Sequence, residues 1–379
     1  YDFKQDEKMK KILYFTNIFP SYRKELWKNL ISSSKIDFHI YFSENSYRGI
    51  GSSSIEMEFT REEMKKLHLI KNRTIGGFLW WQKEILKTLI KKDYDVVIFL
   101  GDMKILSNWI GILICKLRKK KICFWSHGIY GNEKGFKKYM RIFFLSLADD
   151  LLLYGDRAKN ILIQNKFSEN HLHVIYNSIN LKEQTEVYQK LLKTKKQIKK
   201  KQYYNLVFFG RLTKIKKVEL LIPVLFKLNQ NEVKYILKIF GEGPEKHHLK
   251  SLIKYYQAEK YIHFEKATYV EHEIGKLFFE SDMLVSPGNV GLNAVHALCY
   301  GTPVLTHNNF SNQMPEHEVI EENHNGCFHL ENDIDDIVKK IEHWFKNNHQ
   351  GYSGEKVRKN LIKKYNPDTQ VSIFEETLK

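Results

Sequence analysis

The sequence predicts an α/β protein made of two doubly wound parallel sheets with a cleft between them. Three observations carry this. Short apolar runs alternate with amphipathic helical stretches along most of the chain, the pattern of repeated βα units. The alternation is broken once, by a polar, lysine-rich stretch over residues 181–202, and then begins again. The 379 residues suffice for two domains of ordinary size, and a hydrophobic content of 42% provides their cores.

In the first half, strands are predicted at Ile12–Phe15, Ile36–Phe42, Asp95–Leu100, Lys121–Trp125, Asp150–Tyr154 and His173–Tyr176. Helices are predicted at Lys24–Ser33, Phe78–Lys91, Leu106–Arg118, Gly135–Leu147 and Arg157–Asn165, and Ser43–Ser54 reads as a loop. The helix at 106–118 has almost no polar face and is expected to be buried all round. Ligands of such sheets bind beyond the carboxyl ends of the strands. The loops after Phe15, Leu100, Trp125 and Tyr176 therefore point at a site.

In the second half, strands at Leu206–Phe209, Tyr235–Phe240, Ile262–Phe264 and Met283–Val285 alternate with helices at Lys217–Leu228, Glu245–Tyr256 and His272–Phe279. A glycine-rich turn follows, Ser286-Pro287-Gly288-Asn289-Val290-Gly291-Leu292, then a helix to Tyr300 and a strand from Pro303. A further helix, Ile334–Lys346, precedes two more that are broken by Asn366-Pro367. The domains expected are residues 9–180, a linker over 181–202, a second domain over 203–355, and C-terminal helices over 356–379 that pack back on the first domain. Tyr1–Lys8 reads as a detached extension ahead of a natural start at Met9.

The formal net charge of +17 favours an anionic partner: a nucleic acid, an anionic membrane surface or a phosphate-bearing substrate. Seven lysines fall between Lys190 and Lys201, so part of the excess is local. The four cysteines form no close pair and sit in apolar stretches, as reduced core residues of a cytosolic protein do. No apolar run approaches the ~20 residues of a membrane-spanning helix. No zinc spacing, aromatic sheet motif or recognition helix supports nucleic-acid binding, so no nucleic acid is expected as partner.

Several residues stand where chemistry is done on such folds. Gly210-Arg211-Leu212-Thr213-Lys214-Ile215-Lys216 follows the first strand of the second half and brings two cations to a βα crevice, an arrangement suited to a diphosphate. Solvated basic residues in a basic protein would give the same pattern. Gly241-Glu242-Gly243-Pro244 permits a sharp turn with proline at the first helical position. The turn from Gly288 to Leu292 presents backbone N–H groups and a helix start, an anion site or an ordinary βα connection. His127, in Ser126-His127-Gly128, ends a strand and could act as acid, base or hydrogen-bond donor. Asp333-Ile334-Asp335 opens a helix rather than a metal site, and no metal is expected.

The order of these motifs, with Gly301-Thr302-Pro303-Val304, Pro315-Glu316 and Asn325-Gly326 after them, resembles the retaining glycosyltransferases of family 4. The resemblance covers about Leu206 to Leu330. In the first half it is looser, at Phe19-Pro20-Ser21-Tyr22-Arg23, His127-Gly128 and Ile175-Tyr176-Asn177-Ser178. It implies the GT-B fold, two Rossmann-like domains with a nucleotide-sugar on the second and an acceptor on the first. It implies transfer with retention, the acceptor attacking from the face the leaving group departs. Arg211 and Lys216 would neutralise the departing diphosphate in place of a metal, and His127 would lie near the reacting carbon or the acceptor. Gly210, Gly241, Gly243, Gly288, Asn289, Val290, Gly291, Leu292, His296 and Glu316 would surround the donor, and Tyr22 and Arg23 the acceptor. The sequence departs from the family at Gly288 and His296, where two glutamates usually contact the sugar and the ribose.

Phe78-Leu79-Trp80-Trp81 near Lys71, Arg73 and Lys83, and Phe136, Tyr139, Met140 and Phe143 among Lys134, Lys137, Lys138 and Arg141, resemble surfaces that lie on anionic lipid. The same pattern arises from core aromatics with a solvated basic face. The reading that emerges is a cytoplasmic, peripheral-membrane hexosyltransferase acting on a saccharide or lipid-linked saccharide in assembly of a capsule, lipopolysaccharide or other bacterial surface polysaccharide. A nucleotide-sugar epimerase on the same fold and a basic nucleic-acid-binding protein are the alternatives.

Overall fold

The computed structural model describes residues 9–43, 59–194, 202–232, 234–348 and 352–378. The extension 1–8, most of the expected loop 43–54 and the lysine-dense residues 195–201 lie outside the described residues. The chain divides into two compact units, one of Tyr1–Asn180 with Tyr365–Lys379, the other of Leu181–Lys364.

The first unit holds strands β1 (Lys10–Phe15), β2 (Ile36–Phe42), β3 (Leu67–Leu69), β4 (Asn72–Ile75), β5 (Leu79–Gln82), β6 (Val96–Leu100), β7 (Lys121–Ser126), β8 (Asp150–Leu153) and β9 (Leu172–Val174). Seven of them form one parallel sheet in the order β3-β2-β1-β6-β7-β8-β9. Successive side chains of a strand face opposite ways, so β1 feeds two cores. Ile12 and Tyr14 pack with Trp27, Leu30, Trp125 and Phe374, whereas Leu13 and Phe15 pack with Leu89, Phe99, Ile112 and Phe144. The last helix, Pro367–Leu378, belongs to this unit; its Phe374 ring lies 5.2 Å from that of Trp125.

Two expectations are corrected here. Residues 78–82 are not helical: Gly76-Gly77 turns the chain, and β4 and β5 pair as an antiparallel ribbon, leaving a helix only at Ile85–Lys91. The run Leu79-Trp80-Trp81 is aromatic and has strand preference. The helix Leu106–Leu117 is not buried all round, because Ile110, Leu113 and Leu117 are 44%, 58% and 77% exposed. An apolar sequence does not reveal whether a partner covers its outer face.

The second unit holds β10 (Tyr204–Phe209), β11 (Tyr235–Phe240), β12 (Ile262–Glu265), β13 (Met283–Ser286), β14 (Val304–His307) and β15 (Gly326–His329) in one parallel sheet, order β12-β11-β10-β13-β14-β15. Its core gathers Leu206, Phe208, Leu237, Ile239 and Met283 against Leu221, Leu225, Leu249, Ile337 and Trp344. Of the stretch read as a linker, Leu181–Thr194 is a helix that buries Val187, Tyr188 and Leu191 against this unit, with Tyr188 beside the rings of Phe279 and Tyr300. The helix Gly354–Lys364 also belongs here.

Strand order reverses between β1 and β6 in one sheet and between β10 and β13 in the other. At such switch points the loops diverge and leave a crevice.

Candidate functional site

At the second switch point the loops after β10 and β13 are fastened to one another. Lys216 Nζ donates to the main-chain oxygen of Asn289 at 2.6 Å and to its Oδ1 at 2.8 Å. Gly288 N–H donates back to Lys216 O at 3.1 Å. A Cβ on Gly288 would collide with the carbonyl oxygen of Ile215 and lie 2.6 Å from Lys216 Cα, so the backbones touch and no side chain fits. The loops occupy the volume that a side chain at 288 would need.

Gln313, unremarked in the sequence, braces the turn. It is 2% exposed, donates to Thr306 Oγ1 at 2.8 Å and His307 O at 3.1 Å, and accepts from Val290 N–H at 3.0 Å. Thr306 in turn donates to Gly288 O at 3.0 Å. The N–H groups of Gly288 and Val290 are thus spent within the protein and are not available to a ligand. Burial, with Arg211 adding to it, pushes the Lys216 ammonium down to about 8 against a smaller opposing pull from Glu316. Arg211 is exposed and Glu316 buried.

Gly210, Gly241 and Gly243 line the adjoining ends of β10 and β11. A Cβ on Gly241 would run into the Gly210 carbonyl oxygen. His296, in the last turn of the helix Asn293–Cys299, donates to Glu271 Oε1 at 2.8 Å, and Tyr300 Oη donates to the same oxygen at 2.6 Å. The carboxylate absent from position 296 is therefore present beside it, contributed from residue 271. Asp333 accepts from Asp336 N–H as a helix cap at 2.9 Å. Among the described residues no group of three or more His, Cys, Asp or Glu is arranged to hold a metal.

At the first switch point a cavity of about 350 Å³ opens between the loops after β1, β6 and β7. Tyr22, Arg23 and His127 line it together. Arg23 is held by Tyr154 Oη and Asn177 Oδ1, and Asn177 by Gln370, whose Nε2 donates to Ile175 O and Asn177 O. The His127 ring stacks on Tyr154 at 4.4 Å. Burial first, then the nearby Arg23 and Arg141, push its pKa down to about 3, so its ring is neutral.

Residues 189–366 match the family model described as glycosyl transferases group 1. No curated protein matches the chain. Among solved structures it is similar to the lipopolysaccharide outer core galactosyltransferase WaaB in its apo form, with a TM-score of 0.70 at 15% identity over 97% of this chain and 98% of that one. It is similar to a glycosyltransferase from Rickettsia africae (TM-score 0.69, 17% identity, 98% and 99% covered). HepE of Anabaena in complex with UDP and glucose gives a TM-score of 0.66 at 14% identity, 97% and 99% covered. The chain has the GT-B glycosyltransferase fold throughout, and its residues 189–366 carry the likeness to group 1 glycosyl transferases.

Proposed function

We propose that this protein transfers a hexosyl group from a nucleotide-sugar to a saccharide or lipid-linked saccharide, with retention and without a metal. The observation that carries the reading is the buried Lys216 at the second switch point, tied to Asn289 and close enough to Arg211 to feel its charge. A depressed lysine beside an arginine favours an anion, and a preorganised cation at a leaving diphosphate meets charge as it develops. The glycine-lined ends of β10 and β11 let a nucleotide approach the backbone. HepE, of the same fold, is described in complex with UDP and glucose, which suits this assignment. Glu271, with His296 and Tyr300 on one oxygen, offers a carboxylate to vicinal hydroxyls such as those of a ribose.

The test is a thermal-shift series with UDP, GDP, ADP, CMP and their sugar conjugates, with and without EDTA. A ligand that binds only the native state raises Tm with concentration. A shift with one nucleotide class, unchanged by EDTA and lost in Lys216→Ala, is the expected result; no shift with any of them sinks the reading.

Membrane contact belongs to the same proposal. Ile110, Leu113 and Leu117 form one exposed stripe, and Phe136, Tyr139 and Phe143, 79%, 71% and 54% exposed, form another. Trp109, with its ring 6.3 Å from that of Phe143, joins them. Lys116, Lys134, Lys137 and Lys138 accompany these stripes, which suits an anionic bilayer and a peripheral site on the inner face of the plasma membrane. Flotation with anionic vesicles at low salt should carry the protein, and Phe136→Ser/Phe143→Ser should leave it behind; no flotation of the parent chain overturns this part. Assembly of a surface polysaccharide such as capsule or lipopolysaccharide is the pathway class such an enzyme would serve.

A further inference from the structure

Every partner of Arg23 among the described residues is neutral. Nη2 donates to Tyr154 Oη at 2.7 Å and to Asn177 Oδ1 at 3.1 Å, and Nε to Asn177 Oδ1 at 3.3 Å. The guanidinium carbon lies 4.6 Å from the Trp125 ring centroid. Nη1 takes no part in these bonds. With Arg23 only 6% exposed, its charge is oriented but not neutralised, and a buried charge without a counter-charge is costly. The side chain lines the first switch-point cavity rather than a sealed interior.

The rest of the lining points the same way. Lys104 and Lys137 add positive charge, against one carboxylate in the lining, Asp102, while the charge of Arg141 is met by Glu133 at 3.5 Å. Asp102 Oδ1 already accepts from Lys104 N–H at 3.0 Å. Arg141 Nε is fixed on Gly128 O at 2.6 Å, which holds its guanidinium near His127 and Tyr130. His127 brings a neutral ring whose buried Nδ1 has no hydrogen-bond partner among the described residues.

The geometry points to an anion subsite: the cavity between the β1 and β6 loops takes a phosphate or carboxylate carried by the acceptor, with Arg23 as its buried counter-charge. This rests on reading the chain as a sugar transferase and adds the class of acceptor, a phosphate-linked saccharide or a uronic acid. A planar guanidinium held at two edges presents its remaining donors in a fixed direction, which suits the paired oxygens of either group. A neutral saccharide would leave Arg23 uncompensated.

Titration calorimetry on the full chain, with the donor crevice filled by the nucleotide that the thermal-shift series identifies, tests this with inorganic phosphate, glucose 1-phosphate, glucuronate and glucose as probes. The variants are Arg23→Gln, Lys137→Gln and Lys216→Gln. At least one anion should bind about tenfold or more tighter than glucose. That preference should shrink in Arg23→Gln and Lys137→Gln and persist in Lys216→Gln, while the thermal shift with the nucleotide that stabilises the parent chain should do the reverse. Preference for the phosphates or for glucuronate identifies the source of the anion. Anions that bind no better than glucose, or that weaken only in Lys216→Gln, overturn the subsite. Should Arg23→Gln fail to fold, Lys137→Gln decides. Absence of a shift with any of the nucleotides in the parent chain counts against the transferase reading and is scored separately.

Discussion

Lys216 spans the crevice of the second sheet: its ammonium bonds both the main-chain and the side-chain oxygen of Asn289, 73 residues further along. The bond joins the loops after β10 and β13. Lys216→Ala should therefore lower turnover by more than tenfold, on the order of 10²-fold as for other lost oxyanion donors, with the circular dichroism spectrum kept. Arg211→Ala should lower turnover more than tenfold as well. Steady-state kinetics with the donor identified by thermal shift is the check; near-parental rates in both would remove the proposed role.

The same burial gives a pH dependence. Burial first, then repulsion from Arg211, pushes the Lys216 ammonium from the ordinary lysine value down to about 8. kcat/KM reports groups of the free enzyme, so it should be level on the acid side of that value and fall on the alkaline side. Lys216→Arg, which stays charged, should abolish the alkaline fall if it still turns over. The sign for stability is opposite. Between the folded value and the unfolded lysine value the unfolded chain binds more protons, so this group makes the ligand-free fold more stable as pH rises. A urea midpoint that falls through this interval in the parent chain relative to Lys216→Met would contradict this assignment.

Gly288 has no room for a side chain. Gly288→Glu should not improve catalysis; it should part the Lys216 and Asn289 loops and destabilise the chain by about 2 kcal/mol or more. Gln313→Ala, which orphans Val290 N–H and removes the donor to Thr306 Oγ1 and His307 O, should cost about 1–3 kcal/mol. Denaturant midpoints measure both, and a Gly288→Glu chain as stable as the parent would refute the packing described.

His296→Glu is informative in the other direction. It would set a second carboxylate at the position from which His296 now donates to Glu271. Like charges so close raise one carboxyl pKa in the folded state, so the variant should be destabilised by about 1–3 kcal/mol at neutral pH and recover as pH falls. His296→Glu combined with Glu271→Gln should relieve the repulsion. Melting curves at two pH values decide; no pH dependence would mean that the two positions do not couple.

What could be read along the chain was what depends on neighbours in sequence. The alternation located the strands of both sheets except the short edge strand β3, the β4–β5 ribbon and β15. Glycines after β10, β11 and β13 marked the strand ends where backbones approach. The residues that went unread make their decisive bonds far away. Asn177 holds Arg23 across 154 residues, Gln370 holds Asn177 across 193, and Glu271 meets His296 across 25. Gln313 is separated from Val290 by a helix and a strand, and nothing around it in the sequence marks it out.

The two βα series, the glycine-rich turns of the second and the cations Arg211 and Lys216 were legible from the chain alone, because periodicity, backbone freedom and charge are local properties. That position 288 has no room for a side chain, that Glu271 stands beside His296, and that Arg23 is buried among neutral partners came from the packing of distant segments. Each of these depends on which distant segment fills the space next to a residue, and that is settled when the sheets close and their faces are covered.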